Sequence, residues 1–415
     1  MTLHIPPSLH HKKFFYLWLG QLISITGTQM QLWALFWHVN QLNENPIALG
    51  GIGMARILPV VFFSLIGGAL ADSRDRRRVM FTTQSLAALL ALTLALFTQF
   101  GRVTIWHIYL ITALQAVVVA FDGPSRQALI PNLVPKKDLP NAFSMTFTAF
   151  QAGAVIGPAL SGIIIALFGQ EAVYYVNALS FGAVLLALAM IGDVPQSIAE
   201  KSAGVSLDSI KDGIRFILSK PIILSTMLVD FVATFFASAS TLMPIIAKDV
   251  LDVGVVEYGY LSAASAVGAV AVALVISQVK EIRRQGWVFV VSVIVFGIAT
   301  IVFGLTRSFV VAWLAIAVTG GADGVSTIVR NTIRQLQTPD HVRGRMTSIN
   351  QIFFMGGPQL GEIEAGAVAQ FFGAPFAVLT GGIGCIAGTL LIIWKWPQLR
   401  NYNGDEPMLA GATAD

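Results

Sequence analysis

The sequence predicts an all-α integral membrane protein, twelve transmembrane helices in two six-helix bundles with both termini cytoplasmic, and three observations carry this. Of 415 residues, 55% are hydrophobic and only 12% charged, with mean hydropathy +0.73, whereas soluble chains carry about 25% charged residues. Apolar runs of bilayer-spanning length recur along the chain, and at roughly 20 residues per span plus short loops there is room for about twelve and for no sizeable extramembrane domain. The cations are also sorted. With a cytoplasmic N-terminus, twenty-two Lys and Arg fall in inner loops and tails, from Lys12 and Arg74 through Lys136 and Arg283 to Arg330, Arg334 and Lys395, against only Arg102, Lys248 and Arg307 outside. This is the positive-inside bias of a multi-pass protein.

The elements follow in order. Residues 1–13 form a polar cytoplasmic tail, and the apolar stretch after it is too long for a signal-peptide core, so it is expected to be retained as the first span. Spans are expected at 14–38, 46–71, 79–100, 105–125, 142–168 and 171–192, forming the bundle 14–192. A cytoplasmic linker occupies 193–221; in it Leu207, Ile210, Ile214, Ile217 and Leu218 recur at helical spacing, which predicts a helix lying on the inner membrane surface. Spans at 222–247, 257–278, 286–305, 309–330, 346–372 and 374–394 form the bundle 222–394, followed by a cytoplasmic tail, 395–415. Trp18, Trp37, Trp106, Trp287, Trp313, Trp394 and Trp396 fall near span ends, where interfacial aromatics anchor a helix.

The two halves repeat at an offset of about 200 residues. Asp122-Gly123 in span four matches Asp323-Gly324 in span ten, and Gly157-Pro158-Ala159-Leu160 in span five matches Gly357-Pro358-Gln359-Leu360 in span eleven. Parallel six-span repeats are the plan of rocking transporters, with the substrate site between them.

After span two, Gly68, Asp72, Arg76 and Arg77 form G-x-x-x-D-x-x-x-R-R at the inner surface. Gly68 permits close helix approach, Asp72 can cap a neighbouring helix N-terminus, and the arginines can form ion pairs specific to one orientation of the halves. In span five, Gly153, Gly157 and Ser161 make a stripe of small residues four apart, and Pro158 adds a bend. The loop motif resembles the signature between spans two and three of the major facilitator superfamily, with Ser73 where an arginine is usual and Asp75 where a glycine is usual. The span-five pattern resembles the G-x-x-x-G-P-x-x-G-G motif of drug:proton antiporters, with Ser161 replacing a glycine. With Phe121-Asp122-Gly123-Pro124-Ser125-Arg126, Ile130 to Pro135 and Gly344-Arg345-Met346, the chain from about 14 to 394 resembles the drug:proton antiporter-3 branch, whose members include macrolide, multidrug and enterobactin exporters. The arginine that many antiporters place four residues before a span-four glutamine is replaced here by Ile111, before Gln115.

Ionisable groups in membrane spans are costly and are candidates for coupling. Arg56 in span two and Glu362 and Glu364 in span eleven sit at similar expected depth, which predicts a salt bridge from Arg56 to one glutamate; the other should titrate, since residues two apart on a helix point about 200° apart. Asp230 in span seven has no cation nearby in sequence and reads as an isolated titrating group, Asp323 is a further candidate, and Asp122 reads as a cap or ion pair with Arg126. Candidate cavity residues are Gln21, Gln29, Gln31, Trp33, Gln115, Phe235, Asn350, Gln351 and Phe354. His4, His10 and His11 read as solvated tail residues without a carboxylate beside them, and no metal site, no cofactor and no nucleic-acid partner is expected. The single cysteine, Cys385, precludes an intramolecular disulfide.

These features predict a monomeric secondary active exporter of amphipathic or cationic organic compounds in the bacterial inner membrane, surrounded by lipid and driven by proton entry through alternating access. The alternatives on the same scaffold are export of a siderophore or movement of a lipid or lysophospholipid. No P-loop, nucleophile elbow or H-E-x-x-H pair occurs, and an enzyme or a sensor without transport is disfavoured by the repeated halves.

Overall fold

The computed structural model describes residues 6–195, 214–237, 239–279 and 282–404, and among them there is no β-strand. The first long helices are α1 (Lys12–Leu42), α2 (Pro46–Ser73), α3 (Arg76–Gln99), α4 (Ile105–Leu129), α5 (Leu139–Phe168) and α6 (Gln170–Ile191). They are followed by α7 (Pro221–Phe236), α8 (Val255–Ile276), α9 (Gln285–Leu305), α10 (Phe309–Leu336), α11 (Asp340–Phe372) and α12 (Ala374–Lys395). Among the described residues, ten helical spans are long and apolar enough to cross a membrane. The two long helices outside that set, α1 and α11, are the ones that carry much of the predicted polar lining, including Gln21, Gln29 and Asn350. Exposed apolar side chains such as Leu89, Leu179, Leu186 and Leu391 suit a lipid solvent.

Local chemistry explains several boundaries. Asp75, the departure from the usual glycine, is the N-cap of α3: its carboxylate accepts hydrogen bonds from the backbone N–H of Arg77 at 2.9 Å and of Arg78 at 3.3 Å. Asp75→Ala should therefore cost about 1 kcal/mol, read as a lower thermal unfolding midpoint of the purified protein. Single glycines, Gly169 and Gly373, join α5 to α6 and α11 to α12, each at φ 85°. A side chain at that φ is strained, so glycine occupies the same junction in both halves.

The chain divides into two compact units. The first comprises residues 1–44, 55–204 and 255–263; the second comprises 45–54, 205–254 and 264–415. In the first unit α1 packs on α5 and α6, and α3 on α4 and α6. In the second, α7 packs on α11 and α12, and α9 on α10 and α12, which is the same set of pairings six helices further along. The internal repeat is thus one of packing as well as of sequence. Each unit also includes the first turns of a helix from the other half of the sequence. Gly162 of α5 packs so closely on Gly259 of α8 that a Cβ on Gly162 would lie 3.1 Å from the Gly259 Cα, and Gly366 of α11 meets Gly50 of α2 in the same way at 3.1 Å.

Two tail and linker expectations change. The residues before α1 are ordered against the first unit: Pro7–His10 form a 3₁₀ turn, the Ser8 N–H and hydroxyl donate to Asn141, and His11 Nε2 lies 2.8 Å from Asp138 Oδ2. His11 therefore has a carboxylate partner, which sequence distance concealed, whereas His4 lies outside the described residues. Of the interfacial helix expected in the linker, 214–219 are helical, with Ile217 buried and Leu218 exposed; its earlier part lies outside the described residues.

Candidate functional site

Charge is concentrated on one face of α10. Asp323, Ser326, Arg330 and Arg334 follow at spacings of three, four and four, so they line one side of the helix, with Thr327 beside them. Because α10 runs to Leu336, Arg330 and Arg334 belong to the helix and are each 2% exposed, which corrects their assignment to an inner loop. Arg330 Nη1 lies 2.7 Å from Oδ1 of Asp230 on α7, an ion pair by distance without hydrogen-bond alignment. The same nitrogen is 3.0 Å from Ser326 Oγ and 3.4 Å from Asp323 Oδ1. Asp230 is 2% exposed and paired, so the isolated titrating group expected from the sequence is instead half of a buried ion pair. Arg334 donates from Nε to the Arg330 carbonyl at 3.1 Å and from Nη2 to Asn331 Oδ1 at 3.1 Å, placing a cation in the C-terminal turns of α10.

The first unit holds a neutral counterpart. Gln31 of α1 donates to Gln115 Oε1 of α4 at 2.8 Å and accepts from Asn177 Nδ2 of α6 at 2.7 Å, and the Ser180 hydroxyl closes on Asn177 Oδ1 at 3.1 Å. Gln21, ten residues earlier on α1, is buried with its Nε2 lacking a hydrogen-bond partner. Asp122 accepts from Thr83 Oγ1 at 2.9 Å and Gln84 Nε2 at 2.8 Å and lies 4.0 Å from Arg126 Nε, which ties α3 to α4. Its role as an ion-pair and structural anchor is the one expected. At the α1 end near Leu42, His38 Nδ1 lies 2.9 Å from the Tyr174 hydroxyl, Trp37 packs on Tyr258 with ring centroids 5.0 Å apart, and the Tyr258 hydroxyl donates to the Trp33 carbonyl at 2.9 Å.

The conformational motifs resolve into packing. Gly153 and Gly157 face α1: a Cβ on Gly157 would lie 2.6 Å from Gln29 Cβ and 2.9 Å from the Thr26 carbonyl, while the Ser161 hydroxyl donates to the Met30 carbonyl at 3.0 Å. The buried Pro158 lies between these contacts. Arg76 donates to the Ala128 carbonyl and Asn132, and Arg77 to the Leu188 carbonyl and Asp193. Both arginines thus join α3 to the ends of α4 and α6 inside the first unit, Arg77 through an ion pair with Asp193 at 3.3 Å. The side chains of Gly68, Asp72 and Gln351 lie outside the described ones; the helix cap near this loop is Asp75.

Glu362 is buried with its carboxylate against the second unit's segment of α2, since a Cβ on Gly53 would lie 2.9 Å from its Oε2, whereas Glu364 is only partly buried. The two carboxylates occupy different environments, as their spacing requires. Arg56, which belongs to the other unit, is partly exposed. Phe235 stacks on Phe231 with centroids 5.9 Å apart, Asn350 has a buried Oδ1 without a hydrogen-bond partner, Phe354 is exposed, and Gln29, Trp33 and Gln115 are partly buried. Sequence reasoning passed over Arg330, Arg334, Asn177 and His38. The spacing Asp323, Thr327, Arg330, Arg334 was the available signal for the arginines, whereas no local signal marks Asn177 or His38.

Comparison with known proteins agrees with this architecture. Residues 5–407 match the family model described as transmembrane secretion effector. The enterobactin exporter EntS of Citrobacter koseri is 24% identical over 403 residues, covering 97% of this chain and 96% of its own, and that of Shigella boydii is 23% identical with the same coverage. Among solved structures, a bacterial homologue of the lysosomal transporter Spinster, inward-facing and occupied, aligns at TM-score 0.73 and 14% identity over 94% of this chain and 96% of that one. A POT family transporter in complex with 5-aminolevulinic acid aligns at TM-score 0.73 and 13% identity over 96% and 98%. The chain is a multi-pass membrane protein and a transporter rather than an enzyme, and it belongs to the transmembrane secretion effector family of the major facilitator superfamily.

Proposed function

We propose that this protein is a proton-driven exporter of small organic compounds in the bacterial cytoplasmic membrane, working by alternating access as a monomer in lipid. The observation that carries the reading is the Asp230–Arg330–Asp323 cluster within the packed helices of the second unit. Buried charge is costly in a membrane helix and is retained where it moves ions or protons. One proton entering down about 100 mV supplies about 2.3 kcal/mol, enough for a gradient of roughly fifty-fold. Gln21, Gln29, Trp33, Gln115, Phe235, Asn350 and Phe354 are the proposed substrate contacts, and Arg56, Glu362 and Glu364 are further candidates for coupling.

For the substrate, amphipathic or cationic compounds are the first class. Enterobactin or a related siderophore is the second, favoured by the exporters that align with 97% of this chain. Everted membrane vesicles with an acidified lumen decide between them: the compound carried should discharge the pH gradient on addition, and this discharge should require the protein. If neither a panel of cationic drugs nor enterobactin does so while enterobactin is nevertheless accumulated, transport without proton coupling replaces the proposal. Orientation is tested separately by labelling of introduced cysteines. Positions 77, 136, 215, 283 and 345 should be protected from the outside and positions 44, 257 and 307 reactive; an externally reactive position 215 would overturn the two-by-six topology.

A further inference from the structure

At the end of the second unit that charge sorting assigns to the inner membrane surface, a cavity of about 520 Å³ opens between the start of α9 and the segment after α12. It is lined by Arg284, Trp287, Arg400, Asn401 and Asn403, so every lining side chain carries an N–H donor and none is a carboxylate. Neither arginine has an ion-pair partner among the described residues. The walls are held by packing. The Gly286 N–H donates to the Tyr402 carbonyl at 2.9 Å, Gly286 leaves no room for a Cβ against the Leu399 carbonyl, and Leu399 and Tyr402 are buried, which fixes the turn Gln398–Asn401 on α9. Arg284 immediately precedes α9 and holds left-handed backbone at φ 53°, which glycine adopts more readily, yet its side chain makes no capping bond. The start of α9 adds the positive end of its dipole to the cavity.

The apolar surface beside the cavity runs in a matching direction. Trp287 is followed by Val291, Val295 and Ile298 at spacings of four, four and three, and all four are exposed, so one face of α9 leads from the cavity into the span as a hydrocarbon-facing stripe. A soluble anion would match the arginines but not the stripe, whereas a phospholipid with a negatively charged headgroup matches both. We propose that this is a binding site for an anionic phospholipid of the inner leaflet. Its phosphate oxygens accept hydrogen bonds from Arg284 and Arg400, headgroup hydroxyls meet Asn401 and Asn403, and an acyl chain lies along Trp287, Val291 and Val295. Arginine suits the phosphate because its planar fork donates two parallel N–H bonds. The bound lipid joins the start of α9 to the segment after α12, whatever compound the protein carries. Lys280, Glu281, Asp405 and Glu406 lie outside the described residues, so the carboxylates of Asp405 and Glu406 are the competing occupant that a test must separate.

Native mass spectrometry of the full chain in detergent, titrated with anionic phosphatidylglycerol or zwitterionic phosphatidylcholine, tests this. Phosphatidylglycerol should bind in preference and raise the thermal unfolding midpoint. Arg284→Gly combined with Arg400→Gln should weaken its binding about thirty-fold, the combined contribution of two interfacial arginines. Arg284→Gly alone should weaken binding while the lipid-free midpoint stays at the wild-type value or above, because glycine suits the left-handed backbone. Asp405→Asn combined with Glu406→Gln should leave phosphatidylglycerol binding unchanged. Equal binding of the two lipids, wild-type affinity in the arginine double variant, or a lipid-free midpoint lowered by Arg284→Gly would overturn the proposal. So would inorganic phosphate raising the midpoint as far as phosphatidylglycerol does, which would make the cavity a site for free anions, or phosphatidylglycerol binding only after Asp405 and Glu406 are neutralised, which would make the tail its occupant.

Discussion

Asp230→Asn alone is expected to remove most of the folded protein from the membrane. The carboxylate it neutralises lies 2.7 Å from Arg330 Nη1, and both side chains are 2% exposed. Removing one partner of a buried ion pair leaves an uncompensated charge, at a cost of about 3–5 kcal/mol, a large share of the roughly 5–15 kcal/mol that holds a typical domain together. The effect should appear as a loss of monodisperse protein in detergent and a lower thermal midpoint. Asp230→Asn combined with Arg330→Gln should recover much of the loss, because the stranded cation is gone, and Asp323→Asn should stay close to wild type in abundance. A stable Asp230→Asn single variant would show that the pair is not buried in the folded protein.

Gly157→Val should be nearly as damaging, for a steric reason. The Cβ alone would come within 2.6 Å of Gln29 Cβ and 2.9 Å of the Thr26 carbonyl, so α5 would be pushed off α1. Overpacking a close contact costs about 1–3 kcal/mol and sometimes more, and the branched side chain adds two further methyl groups. Gly157→Ala should show a smaller loss of thermal midpoint of the same sign. Gly123→Ala is the control: a Cβ there meets nothing within 4 Å, so the change should be neutral or stabilising by up to about 1 kcal/mol through helix propensity. Equal behaviour of the alanine variants at 123 and 157 would remove the close-packing role of the span-five motif.

Much of the motif chemistry was legible because it depends on short-range spacing. Gly153, Gly157 and Ser161 lie four apart, which places them on one helix face whatever the surroundings, and the structure sets that face against α1. Asp122 and Arg126 are likewise one turn apart and meet as their spacing requires. Glu362 and Glu364 fall into different environments for the same reason. By contrast, Asp75 looked like a departure from a motif, yet it supplies the cap of α3. Arg76 and Arg77 are satisfied by the carbonyls of Ala128 and Leu188, more than fifty residues away in sequence.

The amino-acid sequence by itself determined the all-helical membrane class, the repeat of its halves and the family, because hydropathy, charge sorting and i, i+4 spacing are properties of a chain in a bilayer before any helix meets another. Only the tertiary structure decided the partners of the buried polar groups. Asp230 and Arg330 are a hundred residues apart and meet because α7 and α10 belong to one unit; Gln31, Gln115 and Asn177 close a network across three helices. The physical reason is that a buried charge or amide must be satisfied by whatever group packing brings within about 3 Å. Local sequence sets which face of a helix a residue occupies, but the neighbour across that face is chosen by the fold.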